Sequence, residues 1–147
     1  MIRTKDPILE RAEFMAENMK VHNVCNAILL ILYDLRVPIK SDGFKYLRYA
    51  LLIGFQNPDD IVETEIFDAV GEIYSRKVSF RSIDGAIRES IKKAWNQRTD
   101  DRWGRYFPEY ITERRSQPTN LEFISAIVYF LEFWKNCYEE EAGYENV

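Results

Sequence analysis

The stretch SFRSIDGAIRESIKKAW, Ser79 to Trp95, decides how the rest of the chain is read. Ile83, Ala86, Ile87, Ile91, Ala94 and Trp95 recur at three- and four-residue steps, which gathers them on one side of an α-helix. Ser79 stands where its hydroxyl can accept a backbone N–H and start that helix. The other side carries Arg81, Ser82, Asp84, Gly85, Arg88, Glu89 and Lys92, with Lys93 beside them. A capped helix with an apolar stripe and a largely cationic outer face is how a DNA-reading helix is written. Yet Gly85 sits in the middle of the face that would read.

The flanking sequence has the same periodicity, and no stretch alternates apolar and polar residues long enough to predict a strand. The expected fold is all-α, a single helical domain of about six helices. They are predicted over Ile8–Met19, Val24–Leu35, Phe44–Phe55, Ile61–Tyr74, Ser79–Gln97 and Leu121–Tyr138, with Thr119 or Asn120 capping the last. Residues 1–23 read as an N-terminal helical extension, either a dimer surface or a cap on the core. Residues 24–138 form the main domain, and 139–147 an acidic, frayed tail. Tyr46, Tyr49, Phe55, Phe67, Trp95, Phe107, Phe123, Phe130 and Trp134 fall at helical spacings and are expected in the core. Trp103 and Tyr106, flanked by Arg102 and Arg105, offer a second choice: a loop that touches DNA or a partner.

A chain of 147 residues with 46% hydrophobic content supports one core and is short for two. The net charge of −4 is unevenly spread: Gly71 to Arg105 holds nine basic residues against five acidic and carries +4, while the remainder carries −8. A basic centre in an acidic protein points to a polyanionic partner. The longest apolar run, Ala27 to Tyr33, is too short to span a bilayer, and no leader pattern opens the chain, so a soluble cytoplasmic protein is expected. Cys25 and Cys137 have no CxxC partner and His22 is the one histidine, so the cysteines are expected as buried free thiols, with no metal and no cofactor. Asp59-Asp60, Asp100-Asp101 and Glu139 to Glu141 are sequence neighbours suited to solvation. Without a phosphate cradle or nucleophile motif, no enzyme, catalytic residue or small-molecule substrate is expected.

Two helices joined by a short turn, within about residues 65–97, fit a helix-turn-helix, whose second helix enters the major groove. Gly71, after Val70, is expected where the two helices cross closely. Four segments in order carry a wider resemblance: LYDLRVPIKSDGFKYLRYAL, IFDAVGEIY, IDGAIRESIKKAW and QPTNLEFISAI. Together they resemble the DNA-binding effector domain of sporulation-initiation response regulators of endospore-forming bacteria, over roughly Ile28 to Leu131. The resemblance implies an all-helical fold with a helix-turn-helix, binding of double-stranded DNA at a short operator box, transcriptional control, and self-association as a homodimer on tandem sites. It implies phosphate contacts for Arg88, Lys92 and Lys93, and a second contact strip at Arg114, Arg115, Gln117 and Thr119, where the family has lysines at Arg115 and Gln117.

The chain departs from that pattern at three places. A receiver domain with its phosphoacceptor aspartate is not found before the effector-like part, so the family's phosphorylation switch is not expected within it. The turn Ser75 to Val78 is about two residues longer than the family's. Where the family has a Glu-Arg pair touching bases, this chain has Asp84 and Gly85, and the histidine after the family's Ala-Ile-Arg is Glu89. Arginine bidentate to guanine is worth roughly 1–3 kcal/mol of discrimination, and glycine supplies none of it. Ser79, Arg81, Ser82, Asp84 and Glu89 join Arg88 as the candidate DNA-binding residues of this helix, with Arg81 and Ser82 placed to take over some base contact. A second reading stays open: an effector-like module that no longer reads DNA and pairs with the genuine regulator or another helical partner.

Overall fold

The computed structural model describes residues 6–145, apart from the side chains of 100 and 140–145. Among the described residues every regular element is helical: α1 (Pro7–Glu13, running on through a π-helical turn, Phe14–Asn18), α2 (Val24–Asp34), α3 (Asp42–Gln56), α4 (Glu63–Ile73), α5 (Phe80–Asn96), α6 (Asp100–Trp103), α7 (Glu109–Thr112) and α8 (Asn120–Glu145). The six expected helices are present within one to two residues at most ends. The single-turn α6 and α7 are too short to show periodicity in sequence. α8 continues past Tyr138 because Glu139 and its neighbours are adequate helix formers and Glu139 pairs with Lys135 one turn back. Residues 146 and 147 of the expected tail lie outside the described residues.

Asp6 caps α1 by accepting the Ile8 N–H at 2.9 Å, and Pro7 occupies the first helical position, where its missing N–H costs nothing. Ala12, Met15 and Ala16 of this helix are fully buried, and α1 packs along α8, so the N-terminal extension covers the core. The Trp134 indole N–H then donates to the Val21 carbonyl at 2.8 Å and holds the link to α2.

The core is filled by Leu47, Phe67, Ile87, Trp103, Phe123 and Phe130, with residues of every helix around them. Trp103 and Tyr106 are each 1% exposed, which overturns the reading of that segment as a contact loop. Trp103 stacks on Phe107 and meets Trp95 and Phe123 edge-on, while Tyr106 packs on Phe130. The arginines beside them are committed as well. Asp34, 9% exposed, accepts Arg105 at 2.9 Å, the Tyr106 hydroxyl at 2.7 Å and Arg102 at 3.5 Å, with Arg11 at 3.6 Å. A buried carboxylate needs such partners, and burial beside it pushes the Tyr106 phenol well above its ordinary value. Cys25 is exposed and Cys137 half-buried, so neither is the buried thiol expected: Cys25 sits on the outer side of α2.

The closest helix crossing is not at Gly71. A Cβ on Gly71 would meet the Val78 carbonyl at 3.7 Å and Ile83 at 3.9 Å, ordinary contacts. A Cβ on Gly43 would lie 2.0 Å from Ser90 Oγ and 2.2 Å from the Ala86 carbonyl. α3 therefore rests on α5 backbone to backbone. Ser41, the α3 cap, joins in: its Oγ donates to the Pro38 carbonyl at 2.7 Å, accepts the Phe44 N–H at 3.1 Å and lies 2.9 Å from Ser90 Oγ.

α8 begins with a capping box, in which Thr119 Oγ1 accepts the Glu122 N–H at 3.1 Å and Glu122 Oε1 accepts the Thr119 N–H at 2.9 Å. Arg114 grips the same carboxylate with both terminal nitrogens, one of them at 2.9 Å. These bonds, the arginine's first, hold the Glu122 carboxyl down at about 2.

Gly43→Ala should lower stability by at least about 2 kcal/mol, because overpacking against backbone cannot be relieved by a rotamer change. Gly71→Ala should be neutral or stabilising by up to about 1 kcal/mol, and thermal or urea melts of the two variants compare them directly. A folded-state carboxyl below its unfolded value contributes stability that is complete above the unfolded pKa of about 4.3 and lost as pH falls toward 2. Urea melts between pH 7 and pH 2 should therefore show Glu122→Gln less stable than wild type at neutral pH, with the gap closing across that acid window.

Candidate nucleic-acid interface

α4 and α5 are joined by Tyr74–Ser79, in which Ser75 and Arg76 take left-handed φ of 56° and 57°. The Arg76 N–H reaches back to the Gly71 carbonyl at 2.8 Å, and its guanidinium pairs with Asp68 and Glu72. A cation over the last turn of α4 suits the negative end of that helix and helps hold a turn that lacks glycine.

Ser79 caps α5, accepting the Ser82 N–H at 3.1 Å, and its hydroxyl donates to Ser82 Oγ at 3.0 Å. Ile83, Ile87, Ser90, Ile91, Ala94 and Trp95 face the core; Ala86, expected with them, is half-buried, and Ser90 takes the place against Gly43. Arg81, Ser82, Arg88, Glu89, Lys92 and Lys93 are exposed, as their spacing requires. Nothing lies within 4 Å of a Cβ built on Gly85, so the middle of the outer face is bare backbone with open space above it.

Asp84 differs from its outward neighbours. It is half-buried, its carboxylate and carbonyl accept the Asn120 side-chain amide at 2.9 and 3.0 Å, and its other oxygen binds Arg88. Glu63, in the first turn of α4, lies close to Asp84. Burial first, then the Asp84 charge, raises the Glu63 carboxyl, with Arg88 working in the opposite direction.

The strip before α8 lies against the same side of α5. The Trp95 indole N–H donates to the Arg115 carbonyl at 3.1 Å, and the Gln117 amide donates to the Arg88 carbonyl at 3.2 Å. Asp84, Arg88, Gln117, Pro118, Thr119 and Asn120 line a shallow cleft of about 240 Å³ between strip and helix. Thus the residues expected to act together do come together, but several are engaged by the protein. Thr119 caps α8, Arg114 holds Glu122, Gln117 braces α5, and Arg88 has Asp84. Arg81, Lys92, Lys93 and Arg115 are exposed and, among the described residues, take part in no ion pair.

Asn120 and Glu63 are members of this site that the sequence reading missed. The pattern Thr119-x-x-Glu122 carried a usable signal: it assigns the cap to Thr119 and so releases the Asn120 side chain to reach α5. Nothing local in the sequence marks Glu63, which arrives through the α4–α5 packing.

The family model for the C-terminal domain of sporulation initiation factor Spo0A matches residues 28–131. The matched region runs from within α2 into the first half of α8, including the whole α4–α5 unit and the docked strip; α1 lies before it. With well over half of its length matched, the chain belongs to the Spo0A C-terminal family of helical DNA-binding regulatory domains.

Proposed function

We propose that this chain is a transcriptional regulator that binds double-stranded DNA, with α4 and α5 acting as a helix-turn-helix and α5 entering the major groove. The supporting observation is the outer face of α5. Arg81, Lys92 and Lys93 stand exposed there with no ion-pair partner among the described residues, and the strip carrying Arg115 is hydrogen-bonded alongside. Successive N–H groups and cationic side chains of this kind hold phosphates and fix the register of a helix on the duplex. Arg88 joins them by exchanging Asp84 for a phosphate or a base edge. Ser79, Ser82, Asp84 and Glu89 complete the reading group, while Gln117 and Thr119 keep the second strip in place. With bare backbone at Gly85, the box read differs from the family's box or is read with less discrimination. On tandem boxes, adjacent copies pair as a homodimer.

A second reading has its own observation. Of the nine basic residues in the central segment, Arg76, Arg88, Arg102 and Arg105 are spent on internal ion pairs, which lowers the cationic field available to DNA. Under that reading the chain pairs with a genuine regulator and is indifferent to salt and to α5 charge.

Fluorescence anisotropy with labelled duplexes over a salt series separates the two. For DNA binding, log affinity falls linearly with log salt by about 0.9 per phosphate neutralised. Lys92→Ala should reduce that slope by about 1 and weaken all duplexes alike. A folded protein that fails to bind duplex DNA at low salt would falsify the proposal. Gly85→Arg tests the reading face itself. The open space accepts the side chain, the helix gains roughly 0.5–1 kcal/mol from losing glycine, and a guanine preference of about tenfold or more should emerge in selection from random duplexes.

A further inference from the structure

The first residue of α5 is Phe80, and it is 46% exposed at the end of the helix that the proposed function places in the groove. It is held firmly on one side: the ring packs on Phe67 of α4 with centroids 5.4 Å apart, and Phe67 is itself fully buried. Its neighbours Arg81 and Ser82 are exposed and polar. Phe80 is therefore an apolar surface, fixed in direction, set among charged groups at the turn of a reading helix that meets base edges.

Major-groove edges offer one apolar feature, the 5-methyl group of thymine; the remaining sites are hydrogen-bond donors and acceptors. A phenyl ring can satisfy none of those and loses nothing against a methyl. Gly85 bears on depth and not on direction. It lies five residues on, about 140° round the helix from Phe80, and with nothing within 4 Å of the missing Cβ the backbone there can approach the bases more closely than one bearing an arginine, which lets the start of α5 sit deeper in the groove.

Resting on the DNA-binding reading, we infer that Phe80 is a specificity-determining residue that recognises thymine through its 5-methyl group. The substrate class is narrowed to operators bearing a thymine under the start of α5. Recognition there is by burial of one methyl, without a hydrogen bond.

The test removes that methyl and nothing else. After a bound sequence is selected from random duplexes, each thymine in turn is replaced by deoxyuridine and affinity is measured by anisotropy at one salt concentration. One position should lose about fourfold, the worth of a buried methyl group. In Phe80→Ala, and in the bulkier Phe80→Gln as a second check on folding, thymine and deoxyuridine should bind equally at that position while the salt slope stays as in wild type. Wild type that binds DNA yet loses nothing on any replacement overturns the inference and leaves DNA binding standing. So does discrimination that survives in both variants. Wild type that binds no duplex at low salt brings down the DNA-binding reading, and the inference with it.

Discussion

A single absent methyl group, the Cβ of Gly43, sets the position of α5, the helix on which the proposed function depends. Because the α3 backbone lies within van der Waals reach of Ser90 and the Ala86 carbonyl, α5 is fixed in height and rotation by contact with main chain and a short side chain. Long side chains hop between rotamers, whereas backbone contacts do not. The Ser41–Ser90 hydroxyl pair pins the same crossing with a directional bond. α5 is thus held rigidly from its inner side. Its outer side, with Gly85, is left bare.

The second constraint is electrostatic and lies on α2. Asp34 is buried and charged, a costly arrangement unless the charge is compensated. It draws in Arg102 and Arg105 from the α6 region and Arg11 from α1, with Tyr106 donating as well. One carboxylate therefore ties the N-terminal helix, which precedes the family match, to the matched domain. It also removes two arginines from the basic segment that the sequence shows as continuous. Charge counted along a chain says how many cations a segment holds; only packing says which of them still face solvent.

That distinction explains what was legible. The existence of the long helices was readable, since each buries an apolar stripe whose period the sequence displays; the single-turn α6 and α7 were not. The sides of α5 were readable for the same reason, down to Arg81, Arg88 and Lys92 facing outward. What failed were pairings between elements distant in sequence. Trp103 and Tyr106 look like an exposed aromatic loop because their arginine neighbours advertise solvent, yet the partner that neutralises those arginines is Asp34, about seventy residues earlier. The close glycine was assigned to Gly71, next to the expected crossing, when the tighter approach comes from Gly43 on a helix that local reading treats separately. Asp84 was placed with the outward residues, which its spacing supports, but Asn120 and Glu63 come to it from other helices.

The Glu63–Asp84–Arg88 group bears on how such a face could handle DNA. Burial first, and the neighbouring Asp84 charge second, raise the Glu63 carboxyl, and carboxylates at this flank repel phosphate. They sit on the flank of α5 nearest α4 and the start of α8. Arg81, Gly85 and Lys92 share the face beyond, because steps of four and seven residues return nearly to the same side of a helix. Under the proposed function, phosphate contact is favoured along Arg81 and Lys92 and at Arg115, and is opposed at the Asp84 flank. A helix with one attractive and one repellent flank is steered into a single tilt on the duplex, since turning it over would bring carboxylates against the backbone. Asp84 can lie against DNA only where it meets a base-edge amine in place of a phosphate. The acidic pair thus contributes orientation even though it adds nothing to attraction. That is a physical reason for a DNA-binding face to carry carboxylates beside its arginines, and it rests on the order of charges around one helix, which a net charge of −4 conceals.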